Sequence, residues 1–328
     1  MSKVFPYPIV ICTFNRPEYF NKLISSIELQ KLPINPSQLH VYLDGYINSS
    51  DEMIGKPNQQ SEIIEIINKN FTDSHLHYQT FNMGIARVHH DARNIAFSEN
   101  AEWALILEDD VVLSVDALRF LQEILMQESK FPTNTAVINL DCWKRINHKF
   151  RRGNFVASHG TRAYLISRKF HDQISQISKI YLDYFKSVEY RDKNYEKMVA
   201  HMLPSNLLLP GSHSDEFFSS LVDYFKCFQF APSHALAQHI GVFGENANGI
   251  LSAESWLFSP ESNLSSSDFI IHRSDVIRIK LAHFLSRNFG LSLSILPLWK
   301  VIKIQGLYKT FSSVLAKILA RVFRLMPI

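Results

Sequence analysis

Over the first 140 residues, short apolar runs alternate with stretches of helical periodicity, and no other feature narrows the possible folds as far. Pro8–Phe14 reads as a buried strand. Pro17–Lys31 carries Tyr19, Phe20, Leu23, Ile24 and Ile27 at the 3-4 spacing of a helix opened by proline. Leu39–Leu43 is a second strand, stopped by Asp44-Gly45; Ser61–Asn70 is helical and Leu76–Gln79 a short strand. Gly84–Asn100 reads as a helix, Trp103–Leu107 as a strongly apolar strand, Val115–Gln127 as a helix and Thr135–Leu140 as a strand. Repeated β-α units of this kind imply an α/β fold with a mostly parallel sheet, right-handed crossovers and flanking helices.

Beyond residue 150 the pattern is less regular. Phe155–Ser158 and Thr161–Ile166 read as strands around His159-Gly160, and a mixed helical region runs to about His201. Gly211 to Asp215 caps a helix expected over Glu216–Phe228; Gln238–Gly249 reads as a loop and Ser252–Ser267 as a surface segment. With 46% hydrophobic and 20% charged residues the chain has ample material for a core, which excludes extended disorder. Its three cysteines, Cys12, Cys142 and Cys227, fall in no metal-binding or disulfide spacing, so a reducing compartment is expected.

In a parallel α/β sheet, ligands bind beyond the carboxyl ends of the strands. Four successive strand ends carry polar groups here: Thr13 to Arg16, Asp44-Gly45, Asn82 with Arg87, and Glu108-Asp109-Asp110. One shared cleft is expected. The last group is the most demanding, because three consecutive acids between two apolar segments repel one another and cannot all be buried unpaired. A hard divalent cation, Mn²⁺ or Mg²⁺, holding a diphosphate resolves that conflict with one or two protein carboxylates. The competing reading is an acidic turn that caps the following helix.

The segments Pro8–Arg16, Val41–Gly45, Asn82–Arg87 and Trp103–Val111, taken in order, resemble a GT-A fold glycosyltransferase. The closest resemblance is to the inverting N-acetylglucosaminyltransferase I-like family, as a bacterial member. It implies a Rossmann-like sheet whose halves divide the work. Residues 1–150 would bind the nucleotide sugar, 151–272 would hold the acceptor and catalytic half, and 273–328 would form a basic amphipathic helical tail. By position, Thr13 and Arg16 would meet the nucleotide and Asp44 the base or ribose. Arg87, with His89 or His90, would line the nucleotide pocket near Asn82. Glu108 and Asp109 would contact ribose and sugar hydroxyls, and Asp110 would bind the cation. On their own, two adjacent histidines on a helix more often serve structure or solvent.

An inverting transfer needs a base for the acceptor hydroxyl. The resemblance points to Glu216, with Asp215 as the other candidate; both also suit the first turn of a helix. His234 or His239 could add a metal ligand or a pyrophosphate contact. The implied donor is a UDP-sugar, UDP-GlcNAc by family default, and the acceptor a glycan or lipid-linked glycan in bacterial surface polysaccharide synthesis. A sugar nucleotidyltransferase is the first rival, disfavoured because Thr13–Pro17 lacks the glycine of a phosphate loop. A non-catalytic glycan- or lipid-binding protein is the second.

From Arg273 onward there are ten Lys/Arg and one acid, a local charge of +9, against 24 basic and 30 acidic residues before it, or −6. Placed on a helix, Tyr308–Leu325 gathers Phe311, Val314, Leu315, Ile318, Val322 and Leu325 on one face. Lys309, Lys317, Arg321 and Arg324 gather on the other. Such a tail suits an anionic membrane surface and lacks the aromatic pattern that nucleic acid requires. The start, Met1 to Pro8, reads as neither signal peptide nor anchor. The expected location is therefore cytoplasmic, peripheral at the inner face of the plasma membrane. The competing reading packs this helix on the protein's own core.

Overall fold

The computed structural model describes residues 3–48, 50–141, 154–158, 160–205, 207, 213–241 and 269–289. The elements in chain order are β1 (Ile9–Thr13), α1 (Pro17–Glu28), β2 (Leu39–Leu43), α2 (Pro57–Asn70), β3 (His75–Tyr78), α3 (Ile85–Ala96), β4 (Trp103–Glu108) and β5 (Val111–Leu113). They continue with α4 (Ala117–Leu125), β6 (Thr135–Asn139), β7 (Phe155–Ala157), β8 (Ala163–Ser167), α5 (Arg168–Tyr184), α6 (Tyr195–Met202), α7 (Ser214–Tyr224), β9 (Phe228–Pro232), β10 (Ala237–His239) and α8 (Arg273–Phe289).

Eight strands form one sheet in the order β3-β2-β1-β4-β8-β6-β9-β7, in which β8 and β7 run against the other six. The sheet is mostly parallel and carries helices on both faces, the α/β arrangement expected. Both faces are apolar because the strands are. Ile9 and Ile11 point into one core with α1, α2 and α4, while Val10 and Cys12 point into the other with α3, α5 and α7. Leu105 and Leu107 against Ala104 and Ile106 repeat the division on β4. A strand buried on both sides reads as an unbroken apolar run rather than an alternation.

Local chemistry sets the helix starts. Pro17 and Pro57 stand in the first turns of α1 and α2, where a missing N–H costs nothing. The second proline starts α2 four residues before the expected Ser61. Ser167 caps α5 through Phe170 N–H at 3.3 Å, and Asn194 caps α6 through Lys197 N–H at 3.0 Å. The helix expected to reach Phe228 ends at Tyr224, and β9 begins at Phe228 instead. Lys226, at φ 53°, turns the chain between them.

A second, two-stranded sheet pairs β5 with β10 antiparallel, Val111 facing His239 and Leu113 facing Ala237. Neither strand is anticipated by the periodicity; each is three residues long. Helix α8 lies on the far strands. His283 Nε2 stands 3.1 Å from the Gln229 amide and 2.8 Å from its carbonyl, and Arg287 holds Asp223 Oδ1 at 3.1 Å. His159, Gly211, Ser212, the loop after Gly241, the segment Ser252–Ser267 and the tail helix Tyr308–Leu325 lie outside the described residues.

Candidate active site

The carboxyl ends of β1 and β4 are neighbours in register, Cys12 beside Glu108, so Thr13 and Arg16 meet the acidic triplet. Thr13 Oγ1 donates to Asp109 Oδ2 at 2.8 Å. The Arg16 guanidinium donates through one nitrogen to Asp110 Oδ2 at 2.7 Å and through the other to Asp109 Oδ1. A planar fork spanning two carboxylates is the strongest pairing an arginine makes. Burial works against the charge on Arg16, but the two acids outweigh it and hold the guanidinium protonated.

The three acids occupy different environments. Asp109 is 1% exposed, and burial raises its pKa despite Arg16 and Thr13. Asp110 is also buried, yet His239 and Arg16 offset that burial and draw its pKa down. Glu108 is the more open acid and lies 3.3 Å from Nε2 of His89 on α3. Beneath it, burial and the Glu108 charge push the Cys12 thiol up, which leaves it unreactive. Asp109 is thus a scaffold for Thr13 and Arg16, Asp110 is buried beside Arg16 and His239, and Glu108 is the most open of the three.

His239 approaches from the second sheet. Its Nε2 is 3.1 Å from Asp110 Oδ2, and the Ile240 amide donates to the Asp110 carbonyl at 2.8 Å. A Cβ on Gly241 would meet Asp110 Oδ2 at 2.3 Å and His239 Nε2 at 2.7 Å, so any larger residue there would push one of these two side chains aside. His234 is exposed and pairs with Ser233 instead. Among the described residues no group of three His, Cys, Asp or Glu side chains stands in metal-ligand geometry. A cation that takes most of its oxygens from a diphosphate and water needs fewer. Asp110 Oδ1 is buried without a partner, and the His239 nitrogen lies beside the same carboxylate. These donors fit a divalent ion that leaves Arg16 in place.

Asp44 shapes the adjoining wall. Its carboxylate accepts from the amides of Gly45 (3.0 Å), Met83 (2.7 Å) and Gly84 (3.2 Å) and from Asn82 Nδ2 (2.9 Å). Burial pushes its pKa up to about 7 against those amides. Gly84 takes φ 74°, which lets the chain turn into α3 while both amides face Asp44. Asp44 and Asn82 therefore order the loop before α3. Arg87 pairs with Asp91 at 3.3 Å, one helical turn on.

Helix α3 turns His89, His90 and Arg93 inward, all three buried. With Thr161, residues of α5 and the first turn of α7, they line a cavity of about 20 Å³. Asp215 lines this cavity. Glu216 does not, and lies 3.7 Å from His213 at the start of the helix; both acids are exposed. Arg93, Thr161, Ser178 and Tyr181 escaped the sequence reading. The available signal was a polar stripe, His89, His90 and Arg93, at the same spacing as Ala86 and Ala96 on the buried face of α3.

No protein-family model and no curated protein sequence matches the chain. Partial likenesses to solved structures do occur. A cytidylyltransferase from Leptospira borgpetersenii is 10% identical with a TM-score of 0.31, over 52% of this chain and 64% of that one. The mannosyltransferase PcManGT from Pyrobaculum calidifontis, in complex with GDP-Man and Mn²⁺, is 12% identical with a TM-score of 0.36, over 56% of this chain and 54% of that one. S. aureus TarS is 12% identical with a TM-score of 0.35, over 54% of this chain and 33% of that one.

Proposed function

We propose that this chain is a metal-assisted glycosyltransferase that moves a sugar from a nucleotide-sugar donor to a glycan or lipid-linked acceptor with inversion. The observation that carries this reading is the cluster of Arg16, Asp110 and His239 at the carboxyl ends of β1 and β4, with Asp110 Oδ1 unpartnered. Asp110 and His239 would hold the cation, and a nitrogen in the ligand set favours Mn²⁺ over Mg²⁺. When bound, the ion supplies charge for the departing diphosphate. Arg16 keeps Asp109 and Asp110 ionised side by side and orients both. Glu108, fixed by His89, faces the hydroxyls of ribose or sugar. Asp215 is the better-placed base for the acceptor hydroxyl, since it lines the cavity beside α3 and Glu216 does not. Asp44, Asn82 and Arg87 would form the nucleotide end of the cleft. The donor class, a UDP-sugar, rests on the resemblance of residues 8–115.

The basic tail is proposed to meet the anionic inner face of the plasma membrane. Among the described residues no helix is long and apolar enough to cross a membrane.

The test is incubation with UDP-, GDP- and CMP-sugars in the presence of Mn²⁺. Slow release of nucleoside diphosphate, abolished by chelator and by Asp110→Ala, is the expected result. Pyrophosphate released from a nucleoside triphosphate and a sugar phosphate would identify the nucleotidyltransferase rival instead.

A further inference from the structure

The cavity between α3, α5 and α7 gathers buried polar atoms that the protein itself leaves unsatisfied. His90 Nε2, Thr161 Oγ1, Ser178 Oγ and Tyr181 OH are all buried without a hydrogen-bond partner. His89 Nε2 lines the same space, 3.3 Å from Glu108 but in hydrogen bond with nothing. Beside them is Arg93, 6% exposed, whose hydrogen bond goes to the neutral hydroxyl of Tyr164 at 3.3 Å. Phe218 lies under its guanidinium at 5.2 Å, and it forms no ion pair among the described residues. A buried polar atom without a partner is costly, and a buried charge without one more so. Four such atoms and a guanidinium without an ion pair, beside the His89–Glu108 contact, gather in one place.

The lining indicates which ligand. Arg93 can only donate, the three hydroxyls can each donate, and Asp215 is the obligate acceptor of the lining. His90 faces Asp91 through Nδ1 at 3.0 Å, and its Nε2 points inward. Such a lining suits a group that only accepts, held by the arginine charge. The volume, about 20 Å³, is little more than a single water needs. A planar carboxylate is the anion that enters so small a space beside the stacked rings of Tyr181 and Phe217. The nearby negative charges are Glu108, which faces His89, Asp91, which faces His90, and Asp215, which lines the cavity.

We propose that this cavity is a recessed subsite for the carboxylate of an acidic sugar, of the uronic or ulosonic acid class, carried by the substrate that binds between Glu108 and Asp215. The inference rests on the glycosyltransferase reading, because His89 and Asp215 belong to both the cavity and the reaction site. It can be tested separately by measuring thermal stabilisation of the full chain by glucuronate and N-acetylneuraminate, with glucose and acetate as the neutral and the free-anion arms. The sugar acids should raise the melting temperature by about 3 °C or more at saturation, and glucose and acetate should not. Arg93→Met should weaken sugar-acid binding by about 10- to 100-fold. The pair Thr161→Val with Ser178→Ala, which keeps the charge, should also weaken it and covers the case in which Arg93→Met does not fold. Equal protection by glucose, or unchanged binding in the double variant, would overturn the subsite; equal protection by acetate would overturn its assignment to a sugar. Donor hydrolysis measured alongside keeps the two readings apart. A chain that hydrolyses nucleotide sugars yet ignores sugar acids sinks only the subsite.

Discussion

His239 Nε2 stands 3.1 Å from Oδ2 of Asp110, although 129 residues separate the two in sequence. The contact follows from register: Val111, the residue after Asp110, faces His239 across the β5–β10 pair. If the pair holds the cation, His239→Ala should raise the Mn²⁺ concentration for half-maximal donor hydrolysis by about 10-fold or more. The folded stability without metal should change little. An unaltered metal titration would remove His239 from the ligand set.

Gly241→Ala examines the same pair without touching either member. The added methyl must displace the Asp110 carboxylate or the His239 ring, since both lie closer to it than atoms can approach. Hydrolysis should fall while circular dichroism and melting temperature stay near those of the wild type. Retained activity would mean that the Asp110–His239 distance is not what the reaction needs.

Arg16 makes two directed contacts that a lysine cannot reproduce. Arg16→Lys should therefore be nearly as inactive as Arg16→Met, by about 100-fold or more in kcat/KM, despite keeping the charge. A lysine variant close to wild type would show that only the net positive charge matters.

Between the paired acids of α7, the geometry favours Asp215. Asp215→Asn should lower the transfer rate by about 10²- to 10⁴-fold with donor binding intact, and Glu216→Gln should be close to wild type. Stopped transfer in Glu216→Gln alone would reverse the assignment.

Asp44 gives the fold a pH signature. Its pKa is raised from 3.8 to about 7, with burial the main cause. Below pH 3.8 both states hold the proton. Between there and about 7 the folded protein keeps a proton that the unfolded chain has released, so Asp44's contribution to stability falls as pH rises. The whole loss is at most about 4 kcal/mol. Melting curves from pH 4.5 to 8 should show wild type losing ground to Asp44→Asn as pH increases. A difference that does not change with pH would mean that the three amides hold Asp44 ionised throughout.

What the sequence discloses here depends on burial and length. Strands β1, β2 and β4 were legible because burial on both faces makes them continuous apolar runs, and the polar strand ends followed at once. Thr13, Arg16 and the triplet do converge. Strands β5, β9 and β10 were not legible. β5 and β10 are too short to show a period, and β9 follows α7 so closely that Phe228 continued the helical pattern. His239 could be suspected only as one of 14 histidines, because its partner is fixed by a strand pairing that no local spacing encodes. Arg93 went unread for a related reason: a charge on an apolar helix face conflicts with burial until the surrounding hydroxyls are known.

Helix α8 bears on any deletion used to examine the basic tail. Its His283 meets the Gln229 backbone in β9 through Nε2, and its Arg287 ties down Asp223 at the end of α7. A chain cut at residue 272 would strip the sheet's outer strands of their cover and leave Asp223 without its arginine, on the helix that begins with Asp215. Lost liposome binding in that deletion would report a damaged catalytic half. A stop after Phe289 keeps those contacts and still removes six of the ten basic residues counted from Arg273, leaving Arg273, Arg278, Lys280 and Arg287 on the intact helix.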